Sequence, residues 1–127
     1  MDVLIDTSVL VAIERGRLDV GAAVDPDADY FVSVVSAAEL LHGVHRATGK
    51  RAQTRSASVE SLLAGTTLVP VDLPVARAYA QASAALARRG TGVDANDLWI
   101  GATAIAHGMA VWSLDGDFGR IPGVSTW

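Results

Sequence analysis

The chain has 127 residues and a formal net charge of −4, from 10 basic and 14 acidic residues; half of it is hydrophobic and 19% is charged. That length suits one domain, and the composition excludes a mainly disordered tail or linker. With no cysteine, disulfide scaffolds, Cys-ligated zinc and iron–sulfur clusters are excluded, and no apolar run approaches the roughly 20 residues of a membrane span.

The chain opens on Val3-Leu4-Ile5, a short apolar run that reads as a buried strand, with no positively charged leader before it. A cytoplasmic domain with no membrane segment is expected. Thr7 and Ser8 are read as caps of a helix over 9–15 that Gly16 ends. Residues 18–24 are mostly apolar and read as core or partner surface, and 25–29 form a polar loop. A second strand is predicted over Tyr30 to Val35. The capping-box pattern Ser36-Ala37-Ala38-Glu39 then opens a helix to about Ala47. Thr48-Gly49 breaks it, and another helix runs from Lys50 to Ala64. Thr66 to Val71 is the third strand. Asp72 caps a long Ala-rich helix with Pro74 in its first turn, ending at Arg89. After a loop, Asp94 or Asn96 caps a helix to His107, closed by Gly108. His107 is expected to pair with the carbonyls at that helix end. Ala110 to Leu114 is the fourth strand, and Val124 to Trp127 a short fifth. Trp99 and Trp112 read as core.

Strands alternating with helices predict an α/β fold: one mostly parallel sheet of four to five strands with helices on both faces. Ligands of such sheets bind beyond the carboxyl ends of the strands. Asp6 follows the first strand, Glu39 opens the helix after the second, Asp115 follows the fourth, and Asp97 opens the helix that feeds the fourth. Each has a structural explanation: Asp6 and Glu39 as capping residues, Asp97 as a favourable charge at a helix start, Asp115 as a turn residue. Those explanations do not account for all four lying on one edge. Close carboxylates raise each other's pKa unless a cation neutralises them, and all-oxygen ligation suits Mg²⁺ or Mn²⁺. Two such ions would bring the net charge from −4 to 0. The acidic balance therefore does not exclude a nucleic-acid partner. Asp94 is read as a helix cap rather than a ligand. A zinc site built on Glu39, His42 and His45 is disfavoured, because that spacing spreads the side chains around a helix.

Four segments, in order, resemble the motifs of PIN domains, and most closely the VapC-type toxins of bacterial toxin–antitoxin pairs. They are 4–10 (LIDTSVL), 36–40 (SAAEL), 96–100 (NDLWI) and 113–118 (SLDGDF). The resemblance spans nearly the whole chain and implies a single PIN domain over 1–127. It implies a Mg²⁺-dependent endoribonuclease that is silenced by a cognate antitoxin and forms a homodimer. It carries the acidic quartet of catalytic and metal-binding residues onto Asp6, Glu39, Asp97 and Asp115, with Ser8 and Asp117 in support. Gly101 and Ser113 depart from the residues common at their positions, alanine and threonine. The alternative is a non-catalytic PIN-fold module that binds RNA or protein. A phospho-acceptor domain or an aspartyl phosphatase would need a lysine at a strand end, and the only lysine is Lys50, between helices.

The basic residues offer an RNA path. Arg46, Lys50, Arg51 and Arg55 form a run with no acid between residues 40 and 59, which reads either as a solvated face or as a set of contacts to the RNA backbone. Arg15 and Arg17 flank Gly16, and Arg88 and Arg89 end the long helix.

Overall fold

A computed structural model describes residues Met1–Trp127. Its five strands are β1 (Asp2–Ile5), β2 (Asp29–Ser33), β3 (Thr67–Val69), β4 (Ala110–Trp112) and β5 (Ser125–Thr126), in the sheet order β3-β2-β1-β4-β5. Every neighbouring pair is parallel, so the sheet is wholly rather than mostly parallel. Leu4 on the central strand lies opposite Phe31 on one side and Val111 on the other. The helices are α1 (Thr7–Glu14), α2 (Val20–Ala23), α3 (Val34–Arg46), α4 (Gly49–Ala64), α5 (Leu73–Arg89) and α6 (Ala95–His107). No helix is long and apolar enough to cross a membrane.

Both faces of the sheet are covered, which is why β1 reads as an unbroken apolar run rather than an alternating one. On one face Leu4 and Val111 pack with Leu86 of α5, Ile100 and Ala104 of α6, and Phe118. On the other, Val3, Ile5 and Trp112 pack with Val9 and Leu10 of α1, Leu40 of α3 and Val59 of α4. Val3 and Leu4 are both fully buried, each contributing about 1.5–3 kcal/mol by burial. Trp127, which the sequence alone does not place, closes an edge-to-face aromatic group with Trp112 and Tyr30, at centroid distances of 4.9 and 5.7 Å.

Several element boundaries differ from the sequence expectation. Of the caps the sequence offers for α1, Asp6 rather than Thr7 or Ser8 is the one used, its carboxylate accepting from the Ser8 N–H. The helix after β2 begins at Val34, and its cap is Ser33, whose Oγ accepts from the Val35 N–H at 3.1 Å. The Ser36–Glu39 capping box is therefore not a capping box: both residues lie inside the helix. The β-branched pair Val34-Val35 favours a strand by propensity, but Val35 packs against the core layer around Leu4, and packing overrides that preference. β4 ends at Trp112, two residues early, because 113–115 turn away into a 3₁₀ turn over Gly116–Arg120. The apolar stretch after Gly16 contains the short helix α2, with Leu18 and Ala23 packed on the core and Val20 exposed. Gly108 ends α6 in a left-handed conformation, φ 67°, as its position suggested. His107 is exposed and its side chain makes no hydrogen bond, contrary to the expected pairing with helix-end carbonyls, because the backbone N–H groups of Gly108 and Met109 occupy those acceptors.

Candidate active site

The strand order reverses at β1: β2 and β3 lie on one side of it, β4 and β5 on the other. In parallel sheets a crevice opens at such a reversal, beyond the carboxyl ends of the strands. Asp6 follows β1 directly, and Asp115 follows β4 after a two-residue turn. Glu39 projects from α3 and Asp97 from the first turn of α6. These four acids, with Asp94, Thr7, Ser8 and Val11, line one cleft of about 470 Å³.

Asp6 is 3% exposed, and every hydrogen bond it receives goes to one oxygen. Ser8 Oγ donates to Oδ2 at 2.6 Å, Ser113 Oγ at 2.8 Å, and the Ser8 N–H at 3.3 Å. Each serine in turn accepts a backbone N–H: Ser8 Oγ from Leu114 at 3.0 Å, Ser113 Oγ from Asp115 at 2.9 Å. The start of α1 and the turn after β4 are thereby tied to the same carboxylate, and Oδ1 is left free for a ligand.

Thr7 does the same for the second acid. Its hydroxyl donates to Glu39 Oε1 at 2.7 Å and lies 2.9 Å from the Oγ of fully buried Ser36. This links α1 to α3, which pack side by side on the sheet. Asp97 carries the electrostatic strain of the cleft. Its pKa is pushed up from 3.8 to about 7, first by burial and then by the charges of Asp6, Asp115, Asp94 and Glu39. Carboxyl oxygens of Asp97, Asp115 and Asp117 come within 4.8 Å of one another, the one such grouping of three potential ligands in the chain. Asp115 also caps the 3₁₀ turn by accepting from the Asp117 N–H at 3.0 Å, and Asp117 pairs with Arg120 at 3.0 Å. Hard oxygen donors crowded tightly enough to hold one carboxyl protonated near neutrality fit a hard divalent cation such as Mg²⁺.

Sequence reasoning missed Thr7 and Ser113 as site residues. Thr7 was read as a helix cap and Ser113 only as a departure from a family pattern. Their roles depend on partners 32 and 107 residues away. Asp94 sits at the N-cap of α6 but makes no capping hydrogen bond with its side chain, and it lines the cleft instead. Glu39, His42 and His45 do not form one ligand group: Glu39 and His42 line one hollow with Val34, Ala38 and Trp99, while His45 faces α4 beside Gln53 and Glu60. Trp99, expected in the core, is half-buried and stacked on Tyr79 at 3.8 Å along the same hollow. In the basic run, Arg46, Arg51 and Arg55 share a second cavity with Arg15, and Lys50 does not join them.

A family model described as PIN domain matches residues 3–124. Ribonuclease VapC5 of Mycobacterium tuberculosis is 41% identical over 125 residues, covering 97% of this chain and 90% of its own length. Ribonuclease VapC4 of the same organism is 37% identical over 125 residues, covering 95% and 92%. Among solved structures, VapBC-5 from M. tuberculosis, a member of the VapBC family of toxin–antitoxin systems, matches with a TM-score of 0.79 at 34% identity, over 98% of this chain and 93% of that one. VapBC2 from Rickettsia felis, solved bound to a DNA fragment from its promoter, matches with a TM-score of 0.89 over 100% and 98%, a likeness of fold alone at 20% identity.

Proposed function

The chain belongs to the PIN-domain family and, within it, to the VapC-type toxins of toxin–antitoxin systems, and on that premise we propose that it is a Mg²⁺-dependent endoribonuclease. The observation that carries the proposal is the meeting of Asp6, Glu39, Asp97 and Asp115 in one cleft, with the Asp97 pKa raised to about 7 first by burial and then by its acidic neighbours. We read residues 1–127 as one such domain.

In this reading Asp6, Glu39, Asp97 and Asp115 hold the metal, with Asp117 beside them. Bound Mg²⁺ or Mn²⁺ supplies Lewis acidity, lowering the pKa of a water and offsetting charge on the scissile phosphate. The chain's own part is positional. Ser8 and Ser113 fix Asp6 through Oδ2, and Thr7 fixes Glu39. A cation held beside Asp97 would favour its ionised form, opposing the burial and the neighbouring charges that raise its pKa. Hydrolysis by water leaves a 5′-phosphate and a 3′-hydroxyl, whereas attack by the RNA 2′-hydroxyl would leave a cyclic phosphate. A cognate antitoxin as inhibitor and pairing of two copies belong to the same reading. Support for the antitoxin is the relative solved as a member of a toxin–antitoxin system. Cytoplasmic action is a further part of the proposal.

The test is cleavage of a mixed cellular RNA pool by the full chain, with Mg²⁺ and with EDTA, beside Asp6→Asn, with the cut ends sequenced. Cuts that need both Mg²⁺ and Asp6 are expected. A folded Asp6→Asn protein that cuts normally removes Asp6 from the site. Neither cuts nor Mg²⁺ binding would leave a non-catalytic RNA- or protein-binding module.

A further inference from the structure

A second polar cavity, of about 440 Å³, opens where the carboxyl ends of α1 and α3 meet the start of α4. Arg15, Arg46, Arg51 and Arg55 line it together with Gly43, Ala47 and Thr48. One carboxylate offsets these four guanidiniums: Glu14 Oε2 lies 3.7 Å from Arg55 Nη2, too far for a hydrogen bond, and Oε2 and Arg55 Nε have no other partner. Four positive charges against one leave a surplus of three, in a chain whose net charge is −4.

Helix dipoles account for only half of this cluster. Arg15 and Arg46 close α1 and α3, where the dipole favours cations. Arg51 lies in the first turn of α4 and Arg55 one turn on, at the end where the dipole favours anions. That end has no acid in its first turn, and its N-cap residue Thr48 makes no capping hydrogen bond with its side chain. The start of α4 thus brings Thr48, Arg51 and Arg55 to the cavity with no acid of its own in the first turn. Room for the cluster comes from Gly43: a Cβ there would lie 3.1 Å from Arg55 Nη2.

The cavity is also in series with the acidic cleft. Glu39 lines the cleft, and Gly43 and Arg46, four and seven residues further along α3, line the basic cavity. That spacing keeps all three on one helix face, with Glu39 and Arg46 roughly 10 Å apart along the axis. On α1, Val11 lines the cleft and Arg15 the cavity, again four residues apart. The acidic cleft and the basic cavity are therefore lined by successive turns of the same two helices, α1 and α3.

We propose that this cavity is a phosphate-binding subsite, in which Arg15, Arg46, Arg51 and Arg55 with the open start of α4 hold a backbone phosphate of the RNA a few nucleotides from the cut. The proposal rests on the ribonuclease reading for the identity of the polyanion. It assigns Arg15 a role that a sequence run cannot show, and it leaves Lys50 out.

The test is binding of a fluorescently labelled, mixed-sequence single-stranded RNA to the full chain carrying Asp6→Asn, read by anisotropy across a salt series. Each phosphate contact on a single strand contributes roughly −0.7 to the slope of log affinity against log salt. Arg46→Ala with Arg51→Ala should weaken binding at least about tenfold and flatten that slope by about 1.4. Lysine at both positions should recover most of the slope, and Lys50→Ala should change neither affinity nor slope. An unchanged slope in the double variant overturns the proposal, and so does an equal loss with Lys50→Ala, which would indicate diffuse attraction. RNA binding that survives the double variant while binding to the antitoxin is lost would assign the cavity to a protein contact instead. Failure of Mg²⁺-dependent cleavage would defeat the ribonuclease reading but would not alter these slopes.

Discussion

Ser113 Oγ donates to Asp6 Oδ2 across 2.8 Å, joining residues 107 positions apart in the chain. The serine's own oxygen accepts the Asp115 N–H, so one hydroxyl holds the first and last acids of the cleft in register. Groups that orient metal-binding carboxylates commonly contribute tenfold to a hundredfold in affinity or activity.

Removing that hydroxyl should therefore weaken metal binding without unfolding the chain. Ser113→Ala is expected to reduce Mg²⁺ affinity by about tenfold, and Ser113→Thr, which keeps the hydroxyl, to retain it. Calorimetric titration of Mg²⁺ into the two purified variants decides this. Equal affinity in Ser113→Ala and the native chain would show that Ser8 alone orients Asp6.

Thr7 ties α1 to α3 through Glu39 and Ser36. Valine in its place keeps the shape and removes the donor, leaving the buried Ser36 hydroxyl without this partner. Thr7→Val should cost about 1 kcal/mol in urea unfolding and lower cleavage through a mobile Glu39. A variant with native stability and native activity would show that neither bond matters.

Asp97 predicts an unusual pH dependence. Its folded pKa of about 7 lies above the ordinary value of 3.8. Between those values the folded chain binds the proton more tightly than the unfolded chain, so this group's contribution falls as pH rises through the window. It is fully present below the lower value. The metal-free protein should thus lose thermal stability on going from about pH 5 to about pH 7.5, and Mg²⁺ should stabilise it far more at the higher pH. Asp97→Asn should remove both the pH dependence and the Mg²⁺ effect while raising metal-free stability at the higher pH. Melting curves with EDTA and with Mg²⁺ at both pH values measure all three. A melting temperature of the EDTA-treated native chain that rises with pH would contradict the assigned sign.

Much of the fold was legible because it rests on local signals. Val3-Leu4-Ile5 could only be a covered strand, Asp72 with Pro74 marks a helix start, and Gly108 marks a helix end. Asp6, Asp97 and Asp115 were legible for the same reason, standing just after a strand or at the start of a helix, whereas Glu39 lies in the second turn of α3. Errors fell where two local signals competed, as at Ser33 to Ser36, where strand propensity and a spurious capping box hid the true cap. Gly101 looked like a mere departure from a pattern. In the structure its missing side chain admits Ile121, whose Cδ1 would lie 2.9 Å from an added Cβ.

By itself the sequence determined the alternation of strands and helices, the apolar runs that bury β1, and the edge on which the acids lie. These follow from periodicity and capping, which act over a few residues. Only the tertiary structure decided that two serines share Asp6 Oδ2, that Thr7 holds Glu39, that Asp94 faces the cleft, and that Arg15 joins the arginines of α3 and α4. Hydrogen bonds reach about 3 Å, and the burial and charge repulsion that raise the Asp97 pKa both act at short range. Both depend on which distant segments the packed sheet brings together.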